Sequence, residues 1–394
     1  MTEPASPCAP ALTQPLAGRR IGLLVSSASR LAGGVFEAVA AHAELIRSLG
    51  GQAVVFALAD AHTEEDRHRF GPTPVIACPT KGLRQLGYSP ALDAALDKAD
   101  IDCLHLHGIW MYPSRAGANW AAKSGKPYFI SPHGMLDPWI TGRSRWKKAL
   151  AKLAYEDTSW RRATAFHALT AREASDIASQ TGRKDSLVIP NPGPAPAAHA
   201  GTERAPVVLY IGRIHSKKNL LALVAAWRGM AHPAGAQLKI AGWGDVRDVA
   251  ALEAAIDADT SGSINFLGPV YGPQKQALLA EARFMALPSL SEGLPMAILE
   301  AWAAGTPTIM SRECNLPIGF TSGAALECGF SAPAIAAALA QGWALDHTQW
   351  QERAQAALEL AATTFSGEAI AAQWAKAYAV AIDRANPPHF PQRA

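Results

Sequence analysis

RFMALPSLSEGLPMAILEAWAAGTPTIM, residues 283–310, reads as strand, loop, helix and strand. The apolar run RFMAL precedes a polar loop. Pro295 then opens a helical stretch that runs to residue 304, because proline suits the first turn, where its missing N–H goes unused. After the turn AAGTP the apolar run TIM returns. A strand, a helix and a second strand in that order make a βαβ unit and predict a parallel sheet.

Upstream the same alternation repeats. PVVLYIGR (206–213), QLKIAGWG (237–244) and INFLGPV (264–270) read as strands, with helical stretches over 218–228, 246–258, 273–280 and 295–304. Downstream, residues 331–383 are Ala-rich and helical in period throughout. The segment 191–206 is dense in Pro, Gly and Ala and reads as a linker. Before it lies another strand and helix series: RIGLLVSS from Arg20, a helix from Val35, then AVVFAL, DCLHLH, PYFISPHG, TAFHALT and SLVIP. The expectation is an α/β protein of two Rossmann-like domains facing across a cleft. Ligands in such sheets lie beyond the carboxyl ends of the strands. The boundaries expected are a disordered leader (1–18), an N-terminal domain (19–190), the linker (191–206), a C-terminal domain (207–365) and a closing helix (366–394) that returns to the first domain.

Charge and cysteine content narrow the function. Lys and Arg number 36 against 33 Asp and Glu, a net charge of +3, and no long basic run accompanies it, so nucleic acid is not an expected partner. The five cysteines include no C-x-x-C pair, which argues against a disulfide framework or a zinc site and for a reducing compartment. No secretory signal or spanning apolar run is evident. A cytoplasmic protein, peripheral to the membrane at most, is expected.

Within 283–310, Glu292 and Glu300 are eight residues apart. Eight helical steps turn through about 800°, which leaves the pair roughly 80° off one face. Pro295 resolves this by leaving Glu292 in the loop and Glu300 inside the helix. Free N–H groups at the helix start favour an anion, and a carboxylate nearby can accept both hydrogens of a ribose diol. In YIGRIHSKKNL, Arg213 and Lys218 flank a turn after a strand, where cations can face a diphosphate. His133 in ISPHGMLDP follows a strand in the first half and can touch a sugar or a reacting centre. Gly33 and Gly34 permit close backbone approach to a ligand, but no G-x-G-x-x-G fingerprint is present. His105 and His107 share one strand face by the period of two and are expected to line the cleft. No third ligand for a metal is evident beside them.

These stretches resemble glycosyltransferase family 4, the retaining nucleotide-sugar enzymes of the GT-B fold. The resemblance rests on Gly33-Gly34, SPHGMLDPW from Ser131, HALTAREA from His167, IPNPG from Ile189, IGRIHSKKN from Ile211, FLGPVYG from Phe266 and PSLSEGLPMAILEAWAAGTPTI from Pro288. The order is the family's own, and the block from LHLHGIW to SPHGMLDPW is similar to bacterial polysaccharide-assembly members. The resemblance implies a hexosyl donor such as a UDP- or GDP-sugar and no cofactor or divalent metal. Glu300 would bind the ribose. Glu292 would meet the donor sugar, with Gly293, Leu294, Pro295 and Met296 helping the sugar and phosphate. Arg213 and Lys218 would neutralise the leaving diphosphate, Gly33 and Gly34 would lie close to it, Val270 would lie near the base, and His133 would sit at the reaction centre. His105 and His107 would contact the acceptor, a saccharide that is free or lipid-linked. Pro192 stands where the family has Gly, beside Asn191, and Ile318 where related members carry an acid.

The sequence leaves two other readings open: a nucleotide-sugar epimerase of similar fold, and a sugar-nucleotide-binding protein without turnover. Residues 143–162 place seven cations (Arg143, Arg145, Lys147, Lys148, Lys152, Arg161 and Arg162) among Trp146, Leu150, Leu153 and Trp160. A basic amphipathic helix of this kind predicts contact with an anionic membrane surface.

Overall fold

A computed structural model describes residues 14–141, 145–197 and 204–385, without the side chains of Trp139 and Arg145. It divides into two compact units. One comprises the chain up to Ile189 together with the chain from Ala371 on; the other is Pro190–Ile370.

The first unit is built on seven parallel strands: β1 (Arg20–Val25), β2 (Gln52–Leu58), β3 (Val75–Cys78), β4 (Cys103–His107), β5 (Tyr128–Ser131), β6 (Ala165–Ala168) and β7 (Leu187–Val188), in the order β3-β2-β1-β4-β5-β6-β7. The second has six: β8 (Ala205–Ile211), β9 (Gln237–Ala241), β10 (Ile264–Gly268), β11 (Ala282–Leu287), β12 (Thr308–Met310) and β13 (Ala325–Glu327), in the order β10-β9-β8-β11-β12-β13. Both orders reverse beside the first strand of the unit, between β1 and β4 and between β8 and β11. That reversal opens a crevice at the carboxyl ends of those strands.

The strands read as unbroken apolar runs because helices cover both faces of a parallel sheet. In β1 every residue from Ile21 to Val25 is buried. Helix Gly34–Ser48 turns Phe36, Val39, His42, Ala43 and Ile46 to the sheet, a helical spacing whose one polar member is His42.

Several boundaries differ from the sequence reading. Residues 1–13 lie outside the described residues, but 14–18 are not a loose leader: Leu16 is fully buried and its N–H donates to Leu49 O at 3.0 Å. The linker residues 198–203 lie outside the described residues too. Its end is already strand, since β8 starts at Ala205, and Gly193 N and Ala197 N bond within the second unit, to Phe365 O (2.8 Å) and Ala303 O (2.7 Å). The short strands β3 and β13 carry too few residues to stand out from their surroundings. The basic segment is not one helix but Arg145–Ala151, a π turn Lys152–Glu156, and Asp157–Arg162. Trp160 and Glu156 are buried, so Trp160 is not on the exposed face. Arg143 lies outside the described residues. The helical tail is three helices, Ala332–Trp343, His347–Ala362 and Gly367–Ala385. Among the described residues Cys78, Cys103, Cys314 and Cys328 are free and buried, and no helix is long and apolar enough to cross a membrane.

Candidate functional site

In the second unit the chemistry gathers where β8 and β11 end. β8 stops at Ile211, and the chain turns through Gly212 and Arg213 into a single 3-10 turn, Ser216–Lys218. Asn219, left-handed at φ 58, then starts helix Leu220–Arg228, so Lys218 precedes the helix rather than opening it. Tyr210 OH donates to Arg213 O at 2.8 Å, and the Arg213 guanidinium lies 5.6 Å over the Trp243 ring. The G-W-G turn makes that close approach feasible. A Cβ on Gly242 would come within 1.8 Å of Gly212 O, and one on Gly244 within 2.2 Å of Ile214 O.

Beyond β11, Glu292 sits in the loop and Glu300 within helix Met296–Ala303, capped by Pro295. Lys218 Nζ reaches Glu292 Oε1 at 2.6 Å, with the glutamate side chain only 9% exposed. Ser289 Oγ donates to the same oxygen at 2.6 Å. Asn315 Nδ2 donates to Glu292 O at 2.6 Å, and Glu292 N to Glu313 O at 3.0 Å. Both backbone and carboxylate of Glu292 are therefore fixed. Burial first, then the Glu292 charge, pushes the Tyr210 hydroxyl up, and the same two causes in the same order push the Cys314 thiol up to about 12. Glu300 is paired at 2.5 Å with Lys275, a cation from helix Gly272–Glu281 that the sequence reading did not single out. Gly293 is exposed, Leu294 and Met296 pack partly against the core, and Pro295 is buried. Val270 is 5% exposed and its side chain packs into the core of the second unit. Its exposed neighbour is Tyr271.

In the first unit Gly33, at φ 55, caps helix Gly34–Ser48, and a Cβ at either glycine would meet nothing within 4 Å. The loop after β5 carries His133 in the left-handed region, φ 53, a strained backbone for a residue with a side chain. Glu173 holds that loop from below. Its carboxylate is buried, which raises its pKa, and it accepts from Gly134 N (2.6 Å) and Leu169 N (2.8 Å).

His105 and His107 do not line an open surface. Both are buried, as are His42 and His167, and Trp374 and Tyr378 of helix Gly367–Ala385 close over them. Sequence alternation put the two on one face correctly, but a parallel sheet covers that face too. Burial, with neighbouring histidines adding to it, lowers His42 to about 3 and His105 and His107 well below the ordinary range. Burial lowers His167 to about 4, against a hydrogen bond to Ile189 O, and lowers His133 to about 3.

Neutral rings fix the direction of their hydrogen bonds. Ile189 O can only accept, so His167 Nε2–H donates to it at 2.7 Å. His167 Nδ1 then accepts from Ser131 Oγ–H at 2.6 Å. Ser131 Oγ accepts from His105 Nε2–H at 2.6 Å, and His105 Nδ1 accepts from Tyr378 O–H at 2.7 Å. The Tyr378 oxygen in turn accepts from His42 Nε2–H at 2.8 Å. His42, His105 and His107 have ring nitrogens within 4.8 Å of one another, so His42 is the third member the sequence did not reveal. Both nitrogens of His105 are nevertheless committed to the chain, which leaves it none for an ion. His107 Nδ1 lies 2.9 Å from His133 Nε2, and His107 Nε2 has no partner. A buried bare lone pair is easier to tolerate than a buried N–H. That favours His107 Nδ1–H as donor and leaves His133 with its proton on Nδ1.

The chain should be sensitive at its centre. Tyr378→Phe strips a donor from His105 and an acceptor from His42, and is expected to cost about 2 kcal/mol or more. Urea unfolding measures it; a loss under about 0.5 kcal/mol would contradict the chain.

Residues 205–343 match the family described as Glycosyl transferases group 1, and residues 33–192 the Glycosyl transferase 4-like domain. A phosphatidyl-myo-inositol mannosyltransferase of Mycobacterium leprae is 26% identical over 311 residues, 74% of this chain and 78% of that protein. The amylovoran biosynthesis glycosyltransferase AmsK of Erwinia amylovora is 32% identical over 120 residues, a match spanning only 28% of either chain. The crystal structure of Anabaena HepE in complex with UDP is 19% identical and superposes with a TM-score of 0.73 over 92% of this chain and all of that one. With two Rossmann-like parallel sheets and family matches across most of its length, the chain belongs to glycosyltransferase family 4, the glycosyltransferases of GT-B fold.

Proposed function

We propose that the protein is a retaining, metal-independent hexosyltransferase. It uses a UDP- or GDP-sugar and a saccharide acceptor, lipid-linked, in the assembly of a bacterial surface polysaccharide or glycolipid. The observation that carries this reading is the meeting of Lys218 and Glu292 at 2.6 Å, at the carboxyl ends of the paired strands β8 and β11, with Arg213 in the same turn after β8 as Lys218. Related proteins named for mannosyl transfer to a phosphoinositide and for amylovoran synthesis support the acceptor class.

Departure of the nucleoside diphosphate leaves negative charge on phosphate while positive charge builds on the anomeric carbon. Fixed cations stabilise the first without reorganising, which is the largest lever such a site has. Arg213 and Lys218 supply them. Glu292, held by Ser289 and Asn315, positions Lys218 and meets the donor sugar, with the backbone of 293–296 beside it. Glu300 takes the ribose diol, exchanging Lys275 for it. Gly33 and Gly34 approach the diphosphate, and His133 presents its Nδ1–H to the sugar. The acceptor attacks from the face the leaving group vacates, and the departing phosphate takes its proton. The exposed basic segment from Trp146 on rests against an anionic membrane at its inner face.

Labelled UDP- and GDP-sugars, incubated with and without a lipid-linked acceptor, test the reading. Acceptor-dependent transfer is expected, with the donor's anomeric configuration retained and the rate unchanged by EDTA. Acceptor-free isomerisation would instead identify an epimerase, and binding without conversion a non-catalytic protein.

A further inference from the structure

The first unit carries a large groove that the site above does not use. It has a volume of about 1290 Å³ and lies between the turn around Leu86, helix Tyr112–Ser124 and helix Arg145–Ala151 with its π turn. Its walls hold large apolar groups open to solvent: Leu83 is 68% exposed, Leu86 54%, Trp146 70% and Leu150 62%. Leaving a leucine-sized group outside forgoes the favourable free energy of burying it. Several gathered in one concavity mark a binding surface.

The groove is preformed. Tyr112 N donates to Leu86 O at 2.9 Å, and the Tyr88 and Tyr112 rings meet edge to face at 5.1 Å. On the other wall Tyr155 OH donates to Trp110 O at 3.0 Å, while buried Glu156 accepts from Ser114 Oγ at 2.8 Å. The rim is cationic. Arg115, Lys123, Lys147 and Lys148 line it against one acid, Asp93, which accepts from Tyr112 OH. Lys123 pairs with Asp97. Arg115 and Lys147 have no ion-pair partner among the described residues. Leucine side chains and the rings of Tyr88, Trp110, Tyr112, Trp146 and Tyr155 make the open surface of the groove mostly apolar, which suits a hydrocarbon chain, and Arg115 and Lys147 at the rim suit a phosphate attached to it.

We propose that this groove binds the hydrocarbon chain and the adjoining phosphate of the lipid-linked acceptor. The inference rests on the acceptor class proposed above, and it assigns that acceptor's apolar part to residues outside the reaction centre.

Dodecyl phosphate below its micellar concentration, titrated into the full chain with tryptophan fluorescence as the readout, is expected to saturate. Each pair of methylenes removed should weaken binding about tenfold. Leu86→Glu combined with Leu150→Glu should weaken it at least about tenfold. Arg115→Gln combined with Lys147→Gln should weaken dodecyl phosphate but not dodecyl maltoside. Circular dichroism checks that each variant folds, and the thermal shift given by UDP should be unchanged in all of them. Non-saturable binding, indifference to chain length, or indifference to the leucine variants overturns the proposal. So does adsorption to phosphatidylcholine–phosphatidylglycerol vesicles without binding of monomeric dodecyl phosphate, which makes the surface a bilayer face. A dimer that Leu86→Glu dissociates makes it a self-association face and also overturns the proposal. Groove binding in a protein that neither binds UDP nor transfers sugar would sink the transferase reading while leaving the groove assignment standing.

Discussion

Lys218→Ala is expected to lower kcat/KM about a hundredfold or more, on the order of 2.7 kcal/mol of lost transition-state stabilisation. Glu292→Ala should do the same by a different route. Removing Lys218 takes away a fixed charge, whereas removing Glu292 frees Lys218 Nζ from its 2.6 Å contact and leaves Ser289 Oγ without its acceptor. Because the two residues act as one pair, the double variant should be little worse than either single one. Lys218→Arg keeps the charge but not the compact ammonium beside Glu292, and should recover only part of the loss. Steady-state kinetics on folded variants decides the matter. Near-wild-type turnover in Lys218→Ala would remove this residue from the leaving-group role.

The second large effect is acid instability of the first unit. His42, His105, His107 and His167 are buried and neutral, with folded-state pKa values far below the ordinary 6.5. Above about pH 6.5 neither state protonates them, so they contribute no pH dependence. Below it the unfolded chain takes up protons that the folded chain cannot, so stability falls as pH drops toward the folded values. Four such groups cost on the order of 8 kcal/mol by about pH 5. Glu156 works the other way. Burial raises it to about 7, so over the same interval it gains a proton in the folded state and returns about 2 kcal/mol. The histidines win by several kcal/mol, a large share of the roughly 5–15 kcal/mol that holds a domain folded. The urea midpoint should therefore drop steeply between about pH 6.5 and pH 5. A flat midpoint over that interval would mean the histidines are hydrated or charged in the fold.

Glu292, Glu300, Arg213 and Lys218 were legible in the sequence because each lies in a short motif at a strand end or a helix start, where local geometry fixes its place. Their partners were not. Lys275, Ser289 and Asn315 sit in unremarkable stretches, and only the return of separate βα units to one sheet edge brings them to the glutamates. Glu173 is one more acid on a helix until that helix docks and buries it under the loop of His133. The G-W-G turn at residues 242–244 was a readable signal, since two glycines flanking one residue after a strand announce a close backbone approach. The inward turn of the Val270 side chain was not legible, because it depends on the core its loop packs against.

Alternating apolar strands and helices, a proline-rich break and a few charged turns determined by themselves that this chain makes two parallel sheets, and where each sheet presents its functional loops. These are consequences of local periodicity and turn chemistry, which act over a handful of residues. The fate of the histidines belongs to tertiary structure. His105 and Tyr378 are 273 residues apart, yet their hydrogen bond turns an expected ligand-facing pair into a sealed, one-directional chain. Whether a polar side chain meets substrate or core depends on what covers it, and cover comes from elements distant in sequence.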